Sequence, residues 1–148
     1  MRLKQLSLFL ENKPGNLRKA CRTLADIGIN IEMMTLAETE QYGILRFLVK
    51  DWERAKDVLE HDDFIVRVSE VVALTVGHRP GGLINILDAL DDAGQNIEYM
   101  YSVFRHIKHE KPNSDSATIV FRFDDPDAAC NVLQKRDIHV LGSEELFG

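Results

Sequence analysis

Pro14-Gly15-Asn16-Leu17, continuing to Asp26-Ile27-Gly28-Ile29-Asn30-Ile31-Glu32-Met33-Met34, returns as Pro80-Gly81-Gly82-Leu83, continuing to Asp92-Ala93-Gly94-Gln95-Asn96-Ile97-Glu98-Tyr99-Met100. A shift of 66 positions makes 10 of these 21 residues identical. A turn, a helix and a strand start copied together mean that one supersecondary unit occurs twice, so the fold is built from that unit. The copied residues include polar loop positions that a hydrophobic core does not require.

The repeat divides the 148 residues into 1–70 and 71–148. A lone unit of roughly 70 residues buries only about 60% of its unfolded surface, so each half is expected to need cover. The composition, 45% hydrophobic and 28% charged, is that of a globular protein, with no apolar run of membrane-spanning length. Alternating strand pattern begins directly after Met1-Arg2-Leu3, so no signal peptide is expected. The net charge is −6, unevenly split: −1 over residues 1–70 and −5 over 71–148. Neither half has the excess of positive charge that phosphate backbones demand, which argues against nucleic acid as a partner. Cys21 and Cys130 fall on predicted helices of different halves and read as buried thiols in a reducing compartment. A cytoplasmic location is expected.

Residues 5–10 alternate with period two and predict a strand. A helix then starts at Pro14-Gly15, with Leu17, Ala20, Cys21, Leu24 and Ile27 at the spacing of one buried face. Gly28 is placed to take the left-handed conformation past its end. Strands are predicted over 30–37 and 43–49, a helix capped by Asp51, and a strand over 64–68. The second half repeats the order: a strand over 71–76, a helix with Leu83, Ile86, Leu87, Leu90 and Ala93, strands over 96–104 and 117–123, a helix opened by Asp125-Pro126, and a strand over 138–141. The offset has grown to 74 by the last helix, which places an insertion around residues 107–115 and predicts a polar surface loop there.

The order β-α-β-β-α-β is the split βαβ plan. The fold class is therefore α+β: two ferredoxin-like βαββαβ units in tandem, each an antiparallel sheet with its helices on one face. Parity puts Leu6, Leu8, Leu10, Leu45, Phe47 and Val49 toward the helices. The opposite face then carries Ser7, Phe9, Ile44, Arg46 and Leu48 in the first half and Val71, Ala73 and Thr75 in the second. That is more apolar than a water-exposed sheet face, so cover by the sister half or a second chain is expected.

Glu11-Asn12-Lys13-Pro14-Gly15-Asn16-Leu17, with the later Gly28-Ile29-Asn30-Ile31, resembles the ACT domain, the amino-acid-sensing module of regulated metabolic enzymes. The second half carries the same resemblance through His78-Arg79-Pro80-Gly81-Gly82-Leu83 and Gln95-Asn96-Ile97. The resemblance implies an effector amino acid held between two ACT units, by the loop after the first strand and by the start of the second strand. Its ligand-binding positions here are Asn12, Lys13, Pro14, Gly15, Asn16, Leu17, Asn30 and Ile31, with His78, Arg79, Pro80, Gly81, Gly82, Leu83, Asn96 and Ile97. Glycine without a Cβ permits close approach of a ligand, and the unpaired N–H groups of the following helix suit a carboxylate. The Asn amides offer oxygens to an ammonium group and nitrogens to a carboxylate. Leu10 and Val76 stand where the family has a further ligand-contacting His.

Plainer readings stand beside these. Pro14-Gly15 and Pro80-Gly81 are also read as required by the turn alone, and Asn30 and Asn96 as residues that tolerate left-handed conformations after a helix. His106 and His109, beside Glu110, are spaced for a metal only if helical, and no metal or cofactor is expected. No phosphate loop, nucleophile elbow or paired-Cys motif is present, so no catalytic residue is assigned. The expected function is a stand-alone, non-enzymatic regulator that binds a small amino acid between ACT units and acts on an enzyme of amino-acid metabolism, with a homodimer expected. The alternative is a subunit that assembles with an enzyme without binding a ligand. Catalysis on the same fold ranks third, and RNA binding last, for want of aromatic residues to stack on bases.

Overall fold

The computed structural model describes residues 2–103 and 116–148. Its elements are β1 (Leu3–Glu11), α1 (Asn16–Asp26), β2 (Met33–Glu38), β3 (Tyr42–Leu48), α2 (Trp52–His61), β4 (Ile65–Gly77), α3 (Ile84–Asp92), β5 (Ile97–Val103), β6 (Ser116–Phe123), α4 (Pro126–Lys135), β7 (Val140–Leu141) and α5 (Ser143–Phe147). The chain forms two compact units, Lys4–Ser69 and Glu70–Gly148, with Leu3 grouped with the second. Residues 65–69 of β4 belong to the first unit and 70–77 to the second.

In the first unit the strands run β2-β3-β1-β4. The antiparallel register sets Leu8 opposite Leu45 and Leu36 opposite the same Leu45. Leu6, Leu8 and Leu10 of β1 join Leu45, Phe47 and Val49, and α1 and α2 close over them with Ala20, Leu24, Ala55 and Leu59. The second unit has the order β7-β4-β6-β5. Its core repeats the first position by position. Val72, Leu74 and Val76 lie 66 residues beyond Leu6, Leu8 and Leu10, and Ile119, Phe121 and Phe123 lie 74 beyond Leu45, Phe47 and Val49. Phe121 and Phe123 stack with ring centroids 5.4 Å apart. These are two ferredoxin-like βαββαβ units, and the helix-facing parity is the one predicted.

The opposite faces are buried in part: Gln5, Ser7, Met33 and Leu48 in the first unit and Val71, Ala73, Thr118, Val120 and Leu141 in the second are buried, whereas Phe9, Ile44, Arg46 and Thr75 are half-buried. Two αL residues that are not glycine, Asp63 (φ 67°) and Asp137 (φ 57°), end α2 and α4 at the same point of the repeat, 74 residues apart. After each, the chain returns by the same bond, Phe64 N–H to Leu59 O at 3.0 Å and Ile138 N–H to Leu133 O at 2.9 Å.

Several boundaries depart from expectation. The strands predicted over 64–68 and 71–76 are one strand, β4, because Ser69 and Glu70 continue the extended backbone. Residues 30–32 precede β2 rather than opening it, although Glu32 N–H bonds Leu48 O at 2.9 Å. The last predicted strand shortens to Val140–Leu141, and α5 follows it unpredicted, its first turn held by Glu145 accepting from Gly142 N–H. Cys130 is buried, but Cys21 is only half-buried, at the edge of the α1 stripe. The loop assigned to 107–115, the end of the strand predicted over 96–104, and the His106–His109 pair lie outside the described residues.

Candidate functional site

The two β-to-α loops share one hydrogen-bonded skeleton. In the first, Lys13 N–H bonds Glu11 O (2.8 Å) and Asn16 N–H bonds Lys13 O (3.3 Å). In the second, Arg79 N–H bonds Gly77 O (3.0 Å) and Gly82 N–H bonds Arg79 O (3.0 Å), the same pairs 66 residues on. Gly15 has φ 91° and Gly81 φ 81°, and a Cβ added to either would meet nothing within 4 Å. Glycine is needed at both for the left-handed conformation, and the space beside the backbone is open.

The residue after each of these glycines differs. Asn16 closes its loop with the side chain, donating from Nδ2 to Glu11 O at 2.9 Å. Gly82 lets backbone approach backbone, since a Cβ there would lie 2.0 Å from Gly77 O. Lys13 pairs with Glu11 (Nζ to Oε2, 2.7 Å). This hydrogen bond and the attraction between the charges hold Glu11 below the usual carboxylate range and raise the Lys13 ammonium. Pro14 and Pro80 are exposed at the loop tips, as are His78 and Arg79. Leu17, Leu83, Ile31 and Ile97 pack against the two cores, and Leu10 and Val76 are core members.

The other three candidate Asn residues each donate to a carboxylate. Asn12 Nδ2 bonds Glu38 Oε2, Asn30 Nδ2 bonds Glu32 Oε1, and Asn96 Nδ2 bonds Asp124 Oδ2, all at 3.1 Å. A carboxylate only accepts, so each amide nitrogen points to it, and each Oδ1 has no protein hydrogen bond among the described residues. An ammonium group suits such a site, whereas a carboxylate would meet like charge. The double role expected of these amides therefore narrows to one. Asn30 and Asn96 do not have positive φ, so the turn-conformation reading of both fails.

Asn12 and Asn30 are not brought together within the first unit. Asn12 sits beside the end of β2 and Asn30 before its start, so at about 3.3 Å per residue roughly 20 Å of strand separates them. They line different recesses. One, of ≈ 60 Å³, is formed by Leu10, Glu11, Asn12, Lys13, Leu17, Leu36, Glu38 and Gly43. The other, of ≈ 580 Å³, is formed by Gly28, Ile29, Asn30, Glu32, Lys50, Asp51 and Arg54. Only the second reaches the roughly 300–1,000 Å³ of ligand pockets.

Glu32, Glu38, Lys50, Asp51 and Arg54 escaped the sequence reading of the site. The repeated Asn-Ile-Glu triplet was a signal for Glu32, but the triplets are wired differently: Glu98, the counterpart of Glu32, pairs with Arg122 at 3.3 Å. Among the described residues no group of three or more His, Cys, Asp or Glu is placed to hold a metal ion. None of their helices is long and apolar enough to cross a membrane.

The two ferredoxin-like units, each carrying a Pro-Gly loop ahead of its first helix and an Asn ahead of its second strand, form a tandem of one repeated βαββαβ module. The ACT domain pair model matches residues 1–148, and the chain belongs to that family. A crystal structure of a Bacteroides thetaiotaomicron protein superposes with a TM-score of 0.89 at 35% identity, covering 99% of this chain and 96% of that one. The regulatory subunit of aspartate kinase from Thermus thermophilus, in its ligand-free form, gives a TM-score of 0.60 at 19% identity (89% and 91% covered). That from Thermus flavus gives 0.58 at 18% (89% and 90%). At those identities the two kinase subunits share the fold. No curated protein sequence matches the chain.

Proposed function

We propose that this chain is a non-catalytic regulatory protein that binds a small amino acid between ACT units and controls an enzyme of amino-acid metabolism. The observation that carries the reading is the duplicated loop, with the same hydrogen bonds, the same left-handed glycine and exposed polar residues ahead of it in both copies. A core does not require that conservation of loop geometry within one chain. The α-carboxylate is held by the loop and the following helix N-terminus, and the ammonium by an Asn oxygen beside its carboxylate. Because the Asn12 loop and Asn30 lie at opposite ends of β2, one ligand reaches both only when a second ACT unit supplies the missing half. A homodimer is the simplest source, and no cofactor, nucleic acid or membrane is needed. The two Cys and the acidic charge suit a cytoplasmic location.

Thermal unfolding in the presence of each of the twenty amino acids tests this. A ligand at 100 times its Kd stabilises by about 2.7 kcal/mol, which for a chain of this size raises Tm by roughly 5–10 °C. Abolition of that shift by Asn12→Ala or Asn30→Ala, with assembly unchanged, supports sensing. No shift with any amino acid at millimolar concentration refutes it and favours the alternative, an assembly subunit that binds no ligand.

A further inference from the structure

The ≈ 580 Å³ recess of the first unit holds charges of both signs, but they are not equally engaged. The Asp51 carboxylate caps α2, its Oδ1 accepting from Arg54 N–H at 3.4 Å. Glu32 accepts from Asn30 and makes a further interaction. The Lys50 and Arg54 side chains, by contrast, have no hydrogen bond or ion pair with any described residue. Of the charged groups lining the recess, only these two cations are uncommitted.

The second copy shows what the repeat looks like without them. Counting 74 residues on, Lys50 corresponds to Asp124 and Arg54 to Ala128, while the cap Asp51 corresponds to Asp125. Asp124 accepts from Asn96, and Asp124 N–H bonds Asn96 O at 3.4 Å, which ties the start of β5 to the end of β6. Lysine cannot accept that bond, and Asn30 turns to Glu32 instead. The first copy has thus exchanged a clamping carboxylate for a free ammonium and added a guanidinium one helical turn further on.

We infer that the first-unit recess selects an amino acid with a second carboxylate, aspartate or glutamate, and that Lys50 and Arg54 bind that side-chain carboxylate. The inference rests on the proposed function, in which the loop holds the α-carboxylate and Asn30 Oδ1 the ammonium. With those two groups placed, a neutral ligand brings no ion-pair partner to Lys50 and Arg54, whose side chains pair with neither Glu32 nor Asp51, just as a second unit closing over the recess removes water from them. Desolvated, unpaired cations oppose that closure. A ligand carboxylate satisfies both, as a fork to the guanidinium and a point contact to the ammonium.

The test is calorimetric titration of the full chain with L-aspartate, L-glutamate, L-asparagine, L-glutamine and inorganic phosphate. An acidic amino acid is expected to bind at least tenfold more tightly than its amide. The exposed pair Lys50→Gln/Arg54→Gln should weaken it about 10- to 100-fold, the range for loss of hydrogen bonds to a charged group. Lys50→Arg/Arg54→Lys, which keeps both charges, should retain the preference. A neutral amino acid that binds as tightly as the acidic ones and is lost on Asn12→Ala overturns the inference and leaves the sensing function standing. Phosphate binding as tightly as aspartate overturns it as an anion site without amino-acid selectivity. Failure of every amino acid to bind overturns both.

Discussion

Gly82→Ala separates a steric requirement for glycine from a conformational one. The new Cβ would lie 2.0 Å from Gly77 O, 3.0 Å from Gly77 C and 3.2 Å from Arg79 O, all backbone atoms that cannot rotate away. Real Cβ contacts essentially never fall below 3.0 Å, so the turn must open by about an ångström. Opening it costs the Gly82 N–H bond to Arg79 O, about 1 kcal/mol. Strain adds about 1–3 kcal/mol, so a loss of about 2–4 kcal/mol is expected. Gly81→Ala and Gly15→Ala meet open space and suffer only from φ 81° and 91°. That penalty is about 1–2 kcal/mol, partly offset by about 0.4–1 kcal/mol from a less flexible unfolded chain. Thermal unfolding followed by circular dichroism should show Gly82→Ala lowering Tm by about 6–12 °C, and each of the other two by far less. Equal losses for Gly82→Ala and Gly81→Ala would refute the claim that backbone contact closes the second loop.

Loss of a helix cap should cost about 1 kcal/mol in urea unfolding, and Asp125→Ala should cost more than Asp51→Ala, since its bond to Ala128 N–H is 3.1 Å against 3.4 Å to Arg54 N–H. Leu24→Ala and Leu90→Ala, equivalent core positions 66 residues apart and each 1% exposed, should each cost about 2–5 kcal/mol; a cost below 1 kcal/mol for either would deny its core role. With a thiol reagent at pH 8, half-buried Cys21 should react well before Cys130, whose thiol is buried and pushed up in pKa chiefly by that burial. The Glu11 carboxyl, held low by Lys13, favours the native loop above the usual carboxylate range and loses that contribution as pH falls through its native pKa; Lys13, raised, contributes below the usual lysine range and loses it as pH rises. NMR titration of Glu11 should show its midpoint rise toward the free value in Lys13→Gln.

The fold was legible because duplication doubled every signal. Leu6, Leu8 and Leu10 alone are a short apolar alternation, but their recurrence as Val72, Leu74 and Val76 fixes both strand and parity. Long-range pairings were less visible. That Ser69 and Glu70 carry one strand across the boundary, or that α5 follows β7, depends on partners distant in the sequence. For the site, the loop residues could be named from their pattern, and the packing of Leu17, Leu83, Ile31 and Ile97 against the two cores followed the apolar spacing. Glu38, 26 residues from Asn12, had no local signature, and nothing in the sequence pattern marked Lys50 and Arg54, which line the same recess as Asn30.

The same wiring argues that the two copies have diverged in role. Asn30 and Glu32 are two residues apart on one short segment, so the amide can turn toward a ligand without disturbing any pairing between strands. Asn96 and Asp124 are 28 residues apart and lie just beyond the paired Ile97 and Phe123. A ligand that drew the Asn96 side chain away would break its bond to Asp124 beside the end of the β5–β6 ladder, and the cost of that break would be subtracted from its affinity. The loops differ in the same sense. Asn16 holds its loop by a side chain that can rotate, whereas Gly82 holds its loop by contact between backbones. At Asn30 the amide is attached to a framework that stays intact when it moves; at Asn96 it bridges the ends of two strands. Ligand response is therefore expected to reside in the first copy, with the second serving as its rigid counterpart.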